Sequence, residues 1–367
     1  MLLSPAAAAV PRVRAEPSLA PVAAWLFCCC AMIYAMVVLG GITRLTQSGL
    51  SITEWEPVIG VVPPLSHAEW MAEFARYKAI PQYDAIHYGM TLAQFKWIFF
   101  WEYLHRLWGR LIGFVFALPF LYFLVRGRLP RRLVLPLFGI LCLGGAQGAL
   151  GWYMVESGLV HRISVSQYRL VAHLALALLI YAAILWVGLG IVRGPAPRTA
   201  PAAGWRRAAE ALVLWVAATI AAGGFTAGLH AGLVYNTFPL MGGRLVPEGY
   251  ARLHPFIRNW FENIAAVQFD HRLLAMTTVL GVVLVSAAGL RARLPKPAKW
   301  ALSALLAVVL LQATLGISTL LLVVPVPLAV AHQAGAVLLL TAAIVFRHTL
   351  RPPRRAAVID APAALPI

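Results

Sequence analysis

Read from the N-terminus, apolar residues come in runs of about 20, long enough for a helix to cross a membrane. Short polar stretches separate them. The pattern predicts spanning helices over 22–43, 103–125, 132–153, 170–192, 207–229, 268–290, 299–322 and 328–347. The longest break in hydropathy, about 44–101, contains SHAEWMAEFARYKA at 66–79. Its spacing predicts an amphipathic helix with Trp70, Phe74 and Tyr77 on one face, acting as a lid or as the wall of a site. The aromatic run Phe95–Trp101 is expected to be an interfacial belt. The predicted fold class is all-α integral membrane.

The eight runs fall into two sets of four. GGITRLTQSGLSITEWEPVIGVVPP closes the first run, and GGFTAGLHAGLVYNTFPLMGGRLVPEG closes the fifth. His-Arg-Leu occurs at 105–107 and 271–273. GGAQGALGWYMVESGLV in the third run answers LLQATLGISTLLLVVPV in the seventh, so Gln147 pairs with Gln312. Ala172-His173 answers Ala331-His332. The offsets shrink from 183 at the glycine pair (40 and 223) to 166 at the first histidine and 159 at the second, because the first external loop is longer in the N-terminal half. Likeness among apolar helices explains the Leu/Ala background but not His, Arg, Gln and paired Gly in the same order. The pattern predicts two tandem four-helix bundles. Because four is even, the two keep the same orientation and form a parallel duplication about an axis along the membrane normal. The expected organisation is a leader (1–21), a first half (22–192), a linker (193–206), a second half (207–348) and a tail (349–367). The leader is Pro/Ala-rich and the first run is long enough to span, so no cleavable signal peptide is expected.

Composition agrees with a membrane protein. The 367 residues are 61% hydrophobic and 12% charged, with mean hydropathy +0.79. Thirty Lys and Arg against 13 Asp and Glu give a net charge of +17, which would suit a nucleic-acid binder. Placement argues otherwise. The basic residues gather in alternate connections: Arg12 and Arg14; Arg126, Arg128, Arg131 and Arg132; Arg193, Arg198, Arg206 and Arg207; Arg291, Arg293, Lys296 and Lys299; Arg347, Arg351, Arg354 and Arg355. The positive-inside rule then puts both termini in the cytoplasm and predicts no nucleic-acid partner. Cys28, Cys29, Cys30 and Cys142 lie within apolar runs and are expected to be buried, inert thiols.

Ionisable residues inside a membrane are costly and mark function. His105, His173, His271 and His332 form two repeated pairs, each near the external end of its helix. Two bis-histidine sites suggest haem, whose iron accepts an axial imidazole from each of two facing helices. Arg106 and Arg272 are candidates for the haem propionates, against simple snorkelling at a helix end. Arg44, Arg110 and Arg169 are further candidates in the first half. Glu102 lies one helical turn before His105, where the second half has Gln268. A carboxylate beside one haem only suggests one catalytic site and one structural or electron-transfer site. Glu102 could act as base, position water, stabilise a cationic intermediate or pair with Arg106. Asp270 is expected to be second-tier or exposed. His67, His87, His161, His230, His254 and His348 lack repeat partners and are expected in loops or interfaces.

The chain resembles the haem A synthase family of the alphaproteobacterial and mitochondrial type over about 22–348. The likeness is carried by 40–64, EYLHR at 102–106, FDHR at 269–272 and AHQ at 331–333. It implies oxidation of the C8 methyl of haem O to a formyl group, giving haem A for haem-copper terminal oxidases. Haem O and its product would sit in the N-terminal half and haem B, as cofactor, in the C-terminal half. His105, His173, His271 and His332 would be iron ligands and Glu102 a participant in catalysis. Membrane lipid, a haem O synthase, an electron donor and oxidase assembly factors are the partners implied, a homo-oligomer is compatible with it, and the location implied is the bacterial inner membrane with haem sites toward the periplasm. Some bacterial members carry a cysteine pair in the first external loop, absent here. The residues alone also allow a dihaem cytochrome b-type electron carrier or a non-enzymatic haem chaperone or transporter.

Overall fold

A computed structural model describes residues 18–54, 59–160, 162–193 and 203–351. Most of the expected leader, linker and tail lie outside the described residues, as does His161. The described chain is helical: α1 Ala20–Leu45, α2 His67–Lys78, α3 Leu92–Val125, α4 Arg131–Leu159, α5 Gln167–Val192, α6 Ala203–Gly228, α7 Asn259–Glu262, α8 Ile264–Arg291, α9 Lys296–Leu321 and α10 Val326–Thr349. Among the described residues, eight of these helices (all but α2 and α7) are long and apolar enough to cross a membrane.

Local chemistry sets several boundaries. Ser66 accepts from the Glu69 amide while Glu69 accepts from the Ser66 amide, a reciprocal cap that starts α2. Thr91 and Gln94 form the same device and start α3 about three turns earlier than hydropathy suggested. Asn263 caps α8 on the Ala265 amide.

The early start of α3 corrects the aromatic-belt expectation. Phe95, Ile98 and Phe99 are buried beneath α2, packed with Phe74, Tyr77, Ile80 and Leu50. Phe74 stacks on Phe95 at 4.9 Å between ring centroids. Only the opposite side of the run, including Trp97 and Phe100, is exposed. Helix α2 is therefore a lid seated on an aromatic bed, with Trp70, Phe74 and Tyr77 turned toward it.

The main core is built from α1, α5, α6 and α10 with contributions from α3, α4, α8 and α9. α1 packs on α3 and α5, and α4 on α3 and α5. α6 packs on α8 and α10, and α9 on α8 and α10. Across the two sets, α5 meets α6 and α10, and α1 meets α10. Large apolar side chains such as Leu135, Leu214 and Trp300 are exposed, which carries no penalty against hydrocarbon.

Two further expectations are corrected. Cys29 and Cys30 are buried, but Cys28 and Cys142 face outward, because neighbours on a helix point about 100° apart. His348 is not in a loop: it lies fully buried in the last turn of α10, edge-on to Trp186.

Candidate functional site

Each repeated histidine meets a glycine on the next helix. A Cβ built on Gly40 of α1 would lie 3.1 Å from Cε1 of His105. The same distance is 2.9 Å from Gly151 of α4 to His173, 2.9 Å from Gly223 of α6 to His271, and 2.7 Å from Gly316 of α9 to His332. A missing side chain thus makes room for each imidazole edge. His105 of α3 and His173 of α5 lie on helices that both pack on α1 and α4, and His271 of α8 and His332 of α10 on helices that both pack on α6 and α9. Gln147 donates its amide to the His173 carbonyl at 3.0 Å, and Gln312 does the same to His332 at 2.9 Å.

These residues fit a haem. The His271 Nδ1 lies 3.2 Å from the Thr219 carbonyl, which fixes its proton there and leaves Nε2 free to ligate. The Nδ1 atoms of His105 and His332 are buried without a hydrogen-bond partner. Among the described residues no three His, Cys, Asp or Glu side chains converge to hold a metal ion by themselves. Two imidazoles per site suit an iron whose equatorial ligands come from a porphyrin.

The two arginines clamp loops. Arg106 donates to the carbonyls of Ile52 (2.7 Å) and Glu54 (3.1 Å); Arg272 donates to those of Tyr235 (2.6 Å) and Thr237 (2.7 Å). Ile52 and Tyr235 stand 183 residues apart, as do Glu54 and Thr237, the same offset as the paired glycines. Nε of Arg272 is buried without a partner.

The sites diverge three residues before the first histidine. Glu102 is 2% exposed. Its Oε2 accepts from the Ser51 hydroxyl and the Ile52 amide, both at 2.8 Å; its Oε1 accepts from Arg106 Nε and Nη2 at 3.1 and 2.6 Å. Four donors hold the carboxylate, so it ties the loop after α1 to α3 near His105. At the matching place Gln268 donates to the Tyr235 carbonyl at 3.1 Å, and its own carbonyl is buried without a partner.

The other candidates are dispersed. Arg169 lies over the Tyr153 ring and donates to the Tyr153 carbonyl. Arg110 follows Arg106 by one turn of α3. Asp270 accepts from Tyr250 at 2.9 Å. Arg44, at the end of α1, donates to the Ala227 carbonyl of α6 at 2.6 Å and so joins the two sets of helices. His230, just beyond α6, is held below the ordinary histidine range by burial and by Arg44 nearby.

Fold and site together define an all-α membrane protein with two repeated pairs of histidines, each seated against a glycine, and a buried carboxylate in the first half. A family model described as a cytochrome oxidase assembly protein, COX15-CtaA, matches residues 23–344, and the chain belongs to that family. Over 345 residues it is 53% identical to the haem A synthase of Granulibacter bethesdensis, covering 94% of this chain and 91% of the relative. It is 51% identical to that of Nitrosospira multiformis (90% and 94% covered) and 51% identical to that of Rhodospirillum centenum (96% and 93%).

Proposed function

We infer that this chain is a membrane oxidoreductase that converts haem O to haem A by oxidising the C8 methyl of the porphyrin to a formyl group. The observation that carries this reading is about 50% identity to haem A synthases over most of the chain. The repeated geometry supports a division of the work between the two halves. The first half, 22–192, would hold haem O between His105 and His173, and the second, 207–348, haem B between His271 and His332. The contrast between Glu102 and Gln268 supports this division, because both centres share the glycine edges and the glutamine bonds to the histidine backbone.

When bound, haem B supplies one-electron redox chemistry. The chain supplies position and charge. The glycine edges fix the imidazole planes, and the glutamines fix the backbone that carries His173 and His332. Arg106 and Arg272, at the loop end of each site, are the proposed partners for propionates while they hold the loops. Glu102 is the proposed catalytic group. Four donors hold its carboxyl group in place, so it would be positioned to stabilise positive charge that develops on the substrate. The basic connections support an orientation with both termini cytoplasmic and the haem sites toward the periplasm, and the bacterial relatives support the inner membrane as its place. A haem O synthase, an electron donor and oxidase assembly factors are the partners this activity calls for.

Co-expression with a haem O synthase in a host lacking haem A tests the reaction: haem A should appear in extracted pigment, and haem O alone would overturn it. His271→Ala and His332→Ala should each lower bound haem B, whereas His105→Ala and His173→Ala should spare it. Full haem B in both C-terminal variants would overturn the division between halves.

A further inference from the structure

Between α5, α6 and α10 runs a groove of about 660 Å³. Its walls are apolar: Leu174 and Leu178 of α5, Ala217 and Ile220 of α6, Leu340 and Ile344 of α10. It is open along one side, where Leu179 and Leu214 are more than half exposed. It belongs to neither histidine pair. At about 100° per residue, its α5 positions lie on the side of that helix opposite His173. Its α6 positions likewise turn away from Gly223, which meets His271.

The repeat shows why the groove exists on one side of the molecule. The 183-residue offset places Glu210 and Ala217 where α1 has Phe27 and Tyr34, and the 159-residue offset places Arg347 where α5 has Gly188. On the α1 side, the Phe27 ring fills the space over Gly188 and Tyr34 packs against the core. On the α6 side, Glu210 and Arg347 form an ion pair instead (Nε–Oε1 2.8 Å), and Ala217 leaves the space above it open. An aromatic plug has been replaced by a charged end and a void.

That charged end is basic. Arg347 carries an Nη1 that is buried with no hydrogen-bond partner. Arg351 donates to His348 at 3.0 Å. Arg193, at the end of α5, is held below the usual arginine range by partial burial and by Arg351 beside it. Glu210 is bonded to one of these three arginines, Arg347. The groove thus joins a hydrocarbon-lined trough to a cationic head at the end of the bundle where α5 and α10 finish.

We propose that this groove binds one anionic phospholipid, its acyl chain lying between α5, α6 and α10 and its phosphate at Arg347 with Arg193 and Arg351 nearby. A trough open to the bilayer and left empty would forfeit dispersion contacts along its length, and a lipid chain restores them. Basic pockets between membrane helices select anionic headgroups. On α5 the trough extends from Val171 to Trp186, about 22 Å at 1.5 Å per residue, more than half the thickness of the hydrocarbon core.

The test is native mass spectrometry of the purified, delipidated full chain titrated with phosphatidylglycerol or with phosphatidylcholine of the same acyl chains. The wild type should take up one phosphatidylglycerol about fivefold more tightly than phosphatidylcholine. Ala217→Tyr, which restores the side chain found on α1, should weaken uptake of both lipids at least about tenfold. Arg347→Gln should bring the two lipids to equal affinity. If Ala217→Tyr does not fold, Ala182→Phe on the α5 wall gives the same reading. Unchanged uptake in a folded groove-filling variant, or equal uptake of both lipids by the wild type, would overturn the proposal. Haem conversion is not read, so the outcome is independent of the reaction assigned above.

Discussion

Adding one methyl group to the four glycines that face the histidines should damage the sites in a graded order. Ordinary van der Waals contact begins near 3.4 Å. A Cβ at Gly316 falls short of that by 0.7 Å, at Gly151 and Gly223 by 0.5 Å, and at Gly40 by 0.3 Å. The neighbour in each case is the Cε1 edge of a ring held in a packed helix pair. Metal–ligand distances tolerate displacements of about 0.2 Å, so the methyl at Gly316 exceeds the tolerance more than threefold and that at Gly40 barely exceeds it. Overpacking of this kind costs about 1–3 kcal/mol, which either shifts the helix or tilts the imidazole. Gly316→Ala should therefore lose most haem B, whereas Gly40→Ala should keep its haem with an altered absorption band. Gly148→Ala is the control, since a Cβ there meets nothing within 4 Å. The assay is haem per polypeptide by pigment extraction, together with the low-spin spectrum of the purified protein. Stoichiometric haem and an unchanged spectrum in Gly316→Ala would refute the claim that these glycines set the ligand planes.

Glu102→Gln should retain haem B and lower haem A output roughly 10²–10³-fold, with haem O accumulating; near-normal output would leave the residue as a loop anchor only. Because Glu102 is buried with Arg106, its removal should also loosen the loop at 51–52, unlike the loss of an exposed ion pair, and faster hydrogen exchange there is the readout. The lid should respond to acid. His87 Nδ1 meets the Tyr77 hydroxyl, and burial lowers the His87 pKa from 6.5. The closed form therefore holds His87 neutral, and an open form takes up a proton near pH 6.5. The lid's stability is full above that value, declines as pH falls, and stops declining once the lowered value is passed. Amides of 67–90 should exchange faster at pH 5 than at pH 7.5 after correction for intrinsic rates, and equal protection would contradict this. A reporter fused after residue 365 or within 194–204 should report the cytoplasm, and a periplasmic signal would overturn the orientation.

Much of this was legible in the sequence because bilayer thickness and helix rise leave hydropathy little freedom. The eight spans were found, although α3 was begun too late. Gln94 and Lys96 interrupt the apolar window there, while the capping pair Thr91 and Gln94 extends the helix regardless. The histidines and glutamines stood out as polar residues in apolar runs. Gly151 and Gly316 did not, although each lies four residues after its glutamine, because a glycine's importance comes from what approaches it and not from its own chemistry. The clamps of Arg106 and Arg272 were hidden for another reason: their acceptors are backbone carbonyls, which carry no residue signature. The burial of Glu102 depended on where the loop at 51–52 settles, which the helical pattern does not determine.

The bond from Arg44 to Ala227 has a consequence for how the protein is made. Donor and acceptor are 183 residues apart. At about 5–20 residues per second, α1 is synthesised roughly 10–40 s before the carbonyl it needs on α6 exists. During that interval a guanidinium at the end of the first helix has no mate and must reach for water at the membrane surface. The nascent N-terminal helices are thus kept with one edge wet until α6 is inserted. Arrival of Ala227 closes that edge, so the first half completes its own packing only when the second half joins it.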